Sequence, residues 1–214
     1  MTRSPQDLAR GVLDRYGRTY AHEAGIRLTD QPGPLFQLLV LAQLLSARIG
    51  APIAVAAAAA LRAQGWTTPQ RLRDAPRSAV IASLGRSGYR RYDERTATLL
   101  TEMATLVLAR HGGDLRRLAA AAGGQGDRAS DLLQEVKGIG PTGAAVFLRE
   151  VQAVWPWVRP QLDARALAGA ERVGLPSDAD ELARLVPGQE LAAFAAGLVR
   201  ISLLGKKEEP LTES

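Results

Sequence analysis

A short run of small residues between two apolar stretches is the first place in this sequence where chemistry could occur. The run reads Gly138-Ile139-Gly140-Pro141, and helix-forming residues flank it on both sides. Glycine on each side of one apolar residue predicts a turn too tight for a side chain at either glycine. Proline suits the first position of the next helix, where its missing N–H costs nothing. The pattern therefore predicts a helix N-terminus with free N–H groups, which favours a bound phosphate.

A single aspartate further along the chain is the second candidate. Asp163 follows Pro160-Gln161-Leu162 and precedes another helix-forming stretch. A carboxylate can stabilise positive charge that develops on a sugar, and it can orient or deprotonate a water. Aspartate is also a favoured N-cap, so a purely structural role is the alternative.

These features together resemble the endonuclease III superfamily of DNA glycosylases, in which a helix-hairpin-helix turn is followed at this distance by an aspartate. The segment Leu44-Leu45-Ser46-Ala47-Arg48 is similar to the end of the first barrel helix of that family. The resemblance implies a two-lobed, all-α fold. One lobe would be a six-helix barrel over residues 30–150, with the hairpin at about 132–150, and residues 1–29 plus 151–214 would form the other lobe. The active cleft would lie between the lobes and bring the hairpin close to Asp163.

Thr142 decides which reaction the resemblance implies. Bifunctional members of the family place a lysine at this point of the hairpin, and its amine forms a Schiff base with the sugar. Threonine cannot do so. The resemblance therefore implies a monofunctional glycosylase that flips a damaged or mispaired base from duplex DNA and hydrolyses its glycosidic bond, with Asp163 as the catalytic residue. A non-catalytic DNA-binding protein, and a lyase that uses Lys137 or the N-terminal amine, remain as alternatives.

The resemblance also implies contacts with double-stranded DNA outside the hairpin. Arg48 stands where relatives carry a glutamine that fills the gap left by a flipped base, although it could instead face phosphate or solvent. Tyr89, Arg90 and Arg91 lie on a loop that matches the wedge loop of the family, and an ordinary exposed basic loop is the alternative. The predicted DNA-binding residues are Lys137, Gly138, Ile139, Gly140, Thr142, Gly143, Arg48, Tyr89, Arg90 and Arg91.

Three further residues are candidates for a pocket that holds the base. Gln43 stands where adenine-specific relatives carry an acidic residue that protonates the departing purine. Because glutamine cannot donate that proton, an adenine-specific enzyme of this type is not expected. Trp155 and Trp157 flank Pro156 ahead of Asp163 and could stack on a base, but such tryptophans more often belong to the core.

Composition agrees with a helical protein that has a polyanionic partner. The 214 residues are 46% hydrophobic and only 5% aromatic, which predicts a core of Ala, Leu and Val. Alanine and leucine favour helix, and no long alternating β-branched stretch occurs. The net charge of +5 and the pI near 10.1 suit a partner such as DNA. We expect helices at about 5–17, 35–47, 51–64, 77–84, 93–110, 114–122, 162–173, 178–186 and 188–204, with a surface loop at 119–127 and an extended crossing at 155–160.

Missing features exclude several kinds of site. The chain has no cysteine, which excludes disulfides, zinc fingers and the iron–sulfur cluster that many endonuclease III relatives carry. No cofactor and no metal held by side chains are expected, although a monovalent cation at the hairpin stays possible. The apolar run from Leu35 to Ala47 is shorter than the ~20 residues that a membrane span needs, so no membrane partner is expected. The polar N-terminus predicts a cytoplasmic, nucleoid-associated protein, and a monomer is expected.

Overall fold

Helices form every regular element of residues 3–205 and 207–211, the part of the chain that this computed structural model describes. The all-α prediction is therefore confirmed. In chain order the helices are α1 (Pro5–Tyr16), α2 (Tyr20–Glu23), α3 (Pro32–Ser46), α4 (Ala51–Ala63), α5 (Pro69–Arg73), α6 (Arg77–Arg86), α7 (Asp93–His111), α8 (Arg116–Ala122), α9 (Gly126–Gln134), α10 (Pro141–Val151), α11 (Ala164–Arg172), α12 (Ala179–Ala183) and α13 (Leu191–Leu203).

Local signals explain where several helices begin. Proline occupies the first turn of α1, α3, α4, α5 and α10, because its fixed φ suits that turn and no N–H is needed there. Ser4 caps α1 in a capping box, in which its hydroxyl accepts from the Asp7 amide at 3.1 Å. Each of these signals is carried by residues next to one another in the sequence.

Several helix ends and loops depart from the sequence expectations. The predicted helix at 178–186 ends at Ala183, and residues 188–190 of the predicted helix at 188–204 form a 3-10 turn. α3 begins at Pro32 rather than near residue 35, because that proline already occupies the first turn. Residues 156–158 form a short 3-10 turn inside the stretch predicted as extended. α8 and α9 leave only residues 123–125 of the predicted 119–127 loop outside helices, with Gly123 ending α8 at a φ of +60°.

The described chain divides into two compact units. We call the part up to Tyr20 together with the part from Arg149 the first unit, and the part from Ala21 to Leu148 the second unit. The division predicted from the sequence has its boundaries at 29/30 and 150/151, whereas the units change at 20/21 and 148/149. The last three residues of α10 thus belong to the first unit.

Helices α1, α11, α12 and α13 build the core of the first unit. Phe194 and Leu198 on α13 are fully buried, as are Val12 on α1 and Ala166 on α11. Small residues allow close packing here, because a Cβ on Gly169 would lie 1.9 Å from the Leu198 carbonyl oxygen. The backbones of α11 and α13 therefore touch at this glycine.

We expect the substitution Gly169→Ala to destabilise the protein by at least about 1–3 kcal/mol, since the added methyl forces two packed helices apart. Chemical denaturation followed by circular dichroism measures the loss. Ala168→Ser on the exposed side of the same helix is the matched control and should change stability little. Equal stability of Gly169→Ala and the control would contradict the close approach of α11 and α13.

The second unit is built around α3, which is buried on nearly all sides. Phe36, Leu38, Leu39 and Leu41 are 0% exposed, so this apolar helix is part of the core as its sequence predicted. Alanines at 54, 57 and 58 of α4 are also buried. None of the described helices combines the length and the apolar character that crossing a membrane would require.

Candidate functional site

The glycine turn predicted from the sequence is present between α9 and α10. α9 ends at Gln134, and the chain turns through residues 135–140 before α10 begins at Pro141. Gly138 has a φ of +95°, a conformation that L side chains rarely adopt. Ile139, only 3% exposed, anchors the turn, and its amide donates to the Val136 carbonyl at 2.9 Å. Because this side chain is buried, it anchors the turn within the second unit and is not available to contact DNA.

Two glycines of this hairpin pack against the last turns of α3. A Cβ on Gly138 would lie 2.8 Å from Nε2 of Gln43, and a Cβ on Gly143 would lie 2.7 Å from Oγ of Ser46. Gly143 is buried, so its lack of a side chain serves packing against α3. The predicted DNA contact of Gly143 could therefore be made only by its backbone.

Gly140 differs from Gly138, and here the expectation of a turn closed to side chains at both glycines is wrong. No heavy atom lies within 4 Å of a Cβ built on Gly140, and its φ is not in the positive range. Gly140 and Thr142 are both exposed at the start of α10. The Ala144 amide donates to the Gly140 carbonyl at 3.0 Å, so the amides of Thr142 and Gly143 precede the first intrahelical bond.

We expect Gly140→Ala to leave the fold intact and to weaken binding to DNA. The backbone at this position accepts alanine, so the free energy of unfolding should rise by about 0.4–1 kcal/mol. The new methyl stands beside the exposed start of α10, where it would hinder the approach of a phosphate. Denaturation together with fluorescence anisotropy on a labelled duplex tests both parts. Unchanged DNA affinity would argue against a phosphate contact at this helix start.

Gln43 is a buried amide whose polar atoms are unused. Its side chain is 5% exposed, and neither Nε2 nor Oε1 has a hydrogen-bond partner among the described residues. It lies on α3 directly beneath Gly138. Burying an amide without hydrogen-bond partners typically costs about 1–3 kcal/mol of folding free energy. Gln43 therefore lowers the stability of the protein.

The basic residues predicted to contact DNA have different surroundings. Lys137 is exposed and forms an ion pair with Glu102 of α7 at 2.9 Å. Arg48, two residues after the end of α3, is exposed, as are Arg90 and Arg91. The guanidinium of Arg91 lies 5.4 Å from the centre of the Tyr92 ring. The exposed side chain of Arg48 can meet a polyanion directly, whereas Arg90, whose Nε donates to the Gly85 carbonyl at 3.3 Å, and Lys137 can do so by exchanging their partners.

Tyr89 is not part of that exposed loop surface. Its side chain is 1% exposed, and burial raises the pKa of its hydroxyl, while a hydrogen bond with Thr96 acts in the opposite direction. A side chain this deeply packed cannot enter a base stack unless the loop opens. We therefore leave Tyr89 out of the proposed interface, in contrast to the expectation from the sequence.

Asp163 lies at the N-terminus of α11, in the first unit. Its Oδ1 accepts from the amides of Arg165 and Ala166 at 3.1 and 3.0 Å, so it caps the helix. Its Oδ2 accepts from Nη1 of Arg149 in an ion pair, and 18% of the Asp163 side chain is exposed. Asp163 therefore has the N-cap role that was the alternative to catalysis. Part of its side chain stays open to solvent.

Polar side chains at the end of α10 are the part of the site that sequence reasoning missed. Arg149, Glu150 and Gln152 are 2%, 0% and 0% exposed. The Gln152 side-chain amide donates to the Gln161 carbonyl at 2.9 Å and accepts from the Gln161 amide at 3.0 Å. Polar residues at a helix C-terminus normally face water, and the one available signal was that Arg149 and Gln152 are spaced to share a helix face.

The two tryptophans stack on each other. Their ring centres are 5.4 Å apart with an interplanar angle of 23°, and Trp155 is 2% exposed while Trp157 is half-buried. Trp155 is therefore a core residue. Trp157 keeps some exposed surface.

No metal site is formed by side chains in residues 3–205 and 207–211. No group of three or more His, Asp or Glu side chains there is arranged to hold an ion. The chain contains no cysteine, so a cysteine-bound cluster is excluded by its sequence.

Comparison with known proteins establishes the fold. No protein-family model matches the sequence, and no curated protein matches it. Among solved structures, a thermostable thymine-DNA glycosylase aligns with a TM-score of 0.59 at 16% identity, over 96% of this chain and 90% of that one. A trapped covalent intermediate of endonuclease III with DNA, an estranged-adenine complex, aligns with a TM-score of 0.51 at 15% identity, over 92% and 85% of the two chains. A non-covalent endonuclease III–DNA complex gives a TM-score of 0.52 at 16% identity, with the same coverage. This chain has the helical fold of endonuclease III and thymine-DNA glycosylase.

Proposed function

We propose that this protein is a base-excision DNA glycosylase, which flips a damaged or mispaired base from duplex DNA and hydrolyses its glycosidic bond. The observation that carries the proposal is the partly exposed carboxylate of Asp163, held at a helix N-terminus in a chain with the glycosylase fold. In this proposal Asp163 stabilises the positive charge that develops on the sugar, while water attacks. The exposed start of α10 supports a contact with DNA phosphate.

The substrate is proposed only as a class. Gln43 cannot protonate a departing adenine, which argues against an adenine-specific enzyme. The resemblance in fold to a thymine-DNA glycosylase makes a mispaired or modified pyrimidine the first choice. We leave the identity of the base to experiment, because pocket specificity depends on a few hydrogen bonds.

A lesion panel tests the proposal directly. Labelled duplexes each carry one uracil, one G·T mismatch, one oxidised pyrimidine, one oxidised purine or one alkylated purine, and hot alkali cleaves the strand wherever a base was removed. We expect alkali-sensitive cleavage on at least one duplex. The undamaged duplex is the control. A complete absence of cleavage across the panel would overturn the proposal.

A DNA-binding protein without catalysis is the second candidate. The contacts of Asp163 favour it, because one carboxylate oxygen caps α11 and the other is paired with Arg149. Binding to a duplex with no base release from any lesion would support this candidate over the first.

We expect no Schiff base to form with abasic DNA. Thr142 has no amine, and the Lys137 amine is paired with Glu102, so neither is set up as a nucleophile. Borohydride reduction would trap a covalent complex if any amine attacked the sugar. Endonuclease III, which forms such an intermediate, is the positive control. Trapping of this protein at the level of that control would contradict water as the nucleophile.

A further inference from the structure

Arg149 is an arginine almost without solvent contact, and its charge has one carboxylate partner among the described residues. Its side chain is 3% exposed, and Nη1 donates to Oδ2 of Asp163. Its Nε is buried with no hydrogen-bond partner. The Tyr20 ring lies 6.0 Å from its guanidinium carbon. Because a buried charge is costly unless it is paired, Asp163 is the group that makes this position tolerable for an arginine.

The contacts of Asp163 occupy most of its capacity to accept hydrogen bonds. An ionised carboxylate offers about four lone-pair sites on two oxygens. Oδ1 uses two of them on the amides of Arg165 and Ala166, and Oδ2 uses one on Arg149. One site on Oδ2 remains, on a side chain that keeps 18% of its surface exposed. The three occupied sites therefore determine where the one remaining acceptor site of the carboxylate lies.

The segment that leads to Asp163 is also held by the end of α10. Gln152 binds the backbone of Gln161 through both ends of its amide. Arg159 donates from Nε to the Gln152 carbonyl at 2.7 Å and from Nη2 to the Ala153 carbonyl at 3.3 Å. These bonds fix the chain just ahead of α11, so the pair between Arg149 and Asp163 forms on an already ordered segment.

We propose that Arg149 is a positioning residue for Asp163: its buried guanidinium holds Oδ2 and so fixes the orientation in which the carboxylate presents its remaining acceptor site. The inference rests on the proposed function for its catalytic meaning. Arg149 is too deeply buried to touch DNA itself, so it would act only through Asp163. The helix amides hold Oδ1 and Arg149 holds Oδ2, so the carboxylate cannot rotate freely. It is thereby pre-organised for a developing positive charge.

The first measurement needs no activity. Crystal structures of the wild type and of Arg149→Gln compare the orientation of the Asp163 carboxylate. We expect the carboxylate to leave its wild-type orientation in Arg149→Gln, because only the α11 amides still hold it. Arg165→Gln, which removes an exposed guanidinium two residues away, is the control and should leave the orientation unchanged. The same orientation in wild type and Arg149→Gln would overturn the inference.

The second measurement is the single-turnover rate of base release on the substrate found with the lesion panel. We expect Arg149→Gln to lower that rate by roughly tenfold or more with duplex affinity unchanged, since the arginine acts on the transition state only. Arg149→Lys, which keeps a positive charge, should recover part of the rate. Wild-type rates in Arg149→Gln would overturn the inference while leaving the proposed function in place. An inactive wild type would overturn the proposed function, and the crystal structures would still decide whether Arg149 orients the carboxylate.

A third variant covers the case in which Arg149→Gln does not fold. Removing one partner leaves a buried charge, whereas replacing both partners can be nearly neutral. We therefore expect the double variant Arg149→Gln/Asp163→Asn to be at least as stable as Asp163→Asn alone. A double variant less stable than Asp163→Asn alone would overturn the pairing on which the inference depends.

Discussion

Asp163→Asn is expected to lose base release by on the order of 10²–10³-fold while still binding duplex DNA, because it removes the charge that would stabilise the sugar cation. Asparagine remains a good N-cap, so the start of α11 should persist. The variant does leave Arg149 buried beside a neutral group, which we expect to lower stability by up to about 3 kcal/mol. Single-turnover assays well below the unfolding temperature, with anisotropy on the same duplex, measure both properties.

Asp178→Asn is the matched control for this experiment. Asp178 also caps a helix of the first unit, where its side chain accepts from the Glu181 amide at 2.9 Å. It is exposed, and no arginine within residues 3–205 and 207–211 is paired with it. The same chemical change at Asp178 should leave base release at the wild-type rate. Equal activity of wild type and Asp163→Asn would remove Asp163 from the mechanism, whatever the control does.

Gly138→Ala is expected to cost both stability and DNA affinity. A side chain at a φ of +95° is disfavoured by roughly 1–2 kcal/mol. The new Cβ would also lie 2.8 Å from Nε2 of Gln43, which is buried and has little room to move. We expect overpacking to add about 1 kcal/mol or more. Because the turn must shift to relieve the contact, duplex affinity should fall as well.

Two control variants separate the causes. Gly65→Ala in the same unit has a φ of +81° and open space around the new Cβ, so it reports the backbone cost alone. Gln43→Ala removes the opposing amide, and combining it with Gly138→Ala should recover the overpacking part of the loss. If Gly138→Ala were no less stable than Gly65→Ala, the contact between the hairpin and α3 would be unimportant.

Alanine variants of Gly138 and Gly140 separate two possible causes of DNA binding by the hairpin, which are the shape of the turn and its exposed surface. Alanine at 138 disturbs the turn from inside, whereas alanine at 140 meets no protein atom and alters only the surface of the turn. A loss of DNA affinity in Gly140→Ala without any loss of stability would locate the DNA contact at the start of α10. A loss in Gly138→Ala alone would mean that only the shape of the turn matters.

The predictions that were correct depend on residues close together in the sequence. Pro141 begins α10 because a fixed φ and a missing N–H act within a single turn. The apolar run of α3 predicted a buried helix, which the structure contains. The glycine and proline of the hairpin predicted a turn between two helices, which is also present. The capping role of Asp163 was open to sequence reasoning for the same reason.

What only the tertiary structure decided depends on residues far apart in the chain. Gly138 is closed to a side chain because Gln43 from α3 lies against it, while Gly140 has no such neighbour. Tyr89 is buried although its loop reads as exposed and basic. Arg149 is paired with Asp163 because the segment after α10 returns to the end of that helix. Periodicity and turn chemistry specify helices and their ends, but which distant side chains meet is fixed by packing, which no local pattern encodes.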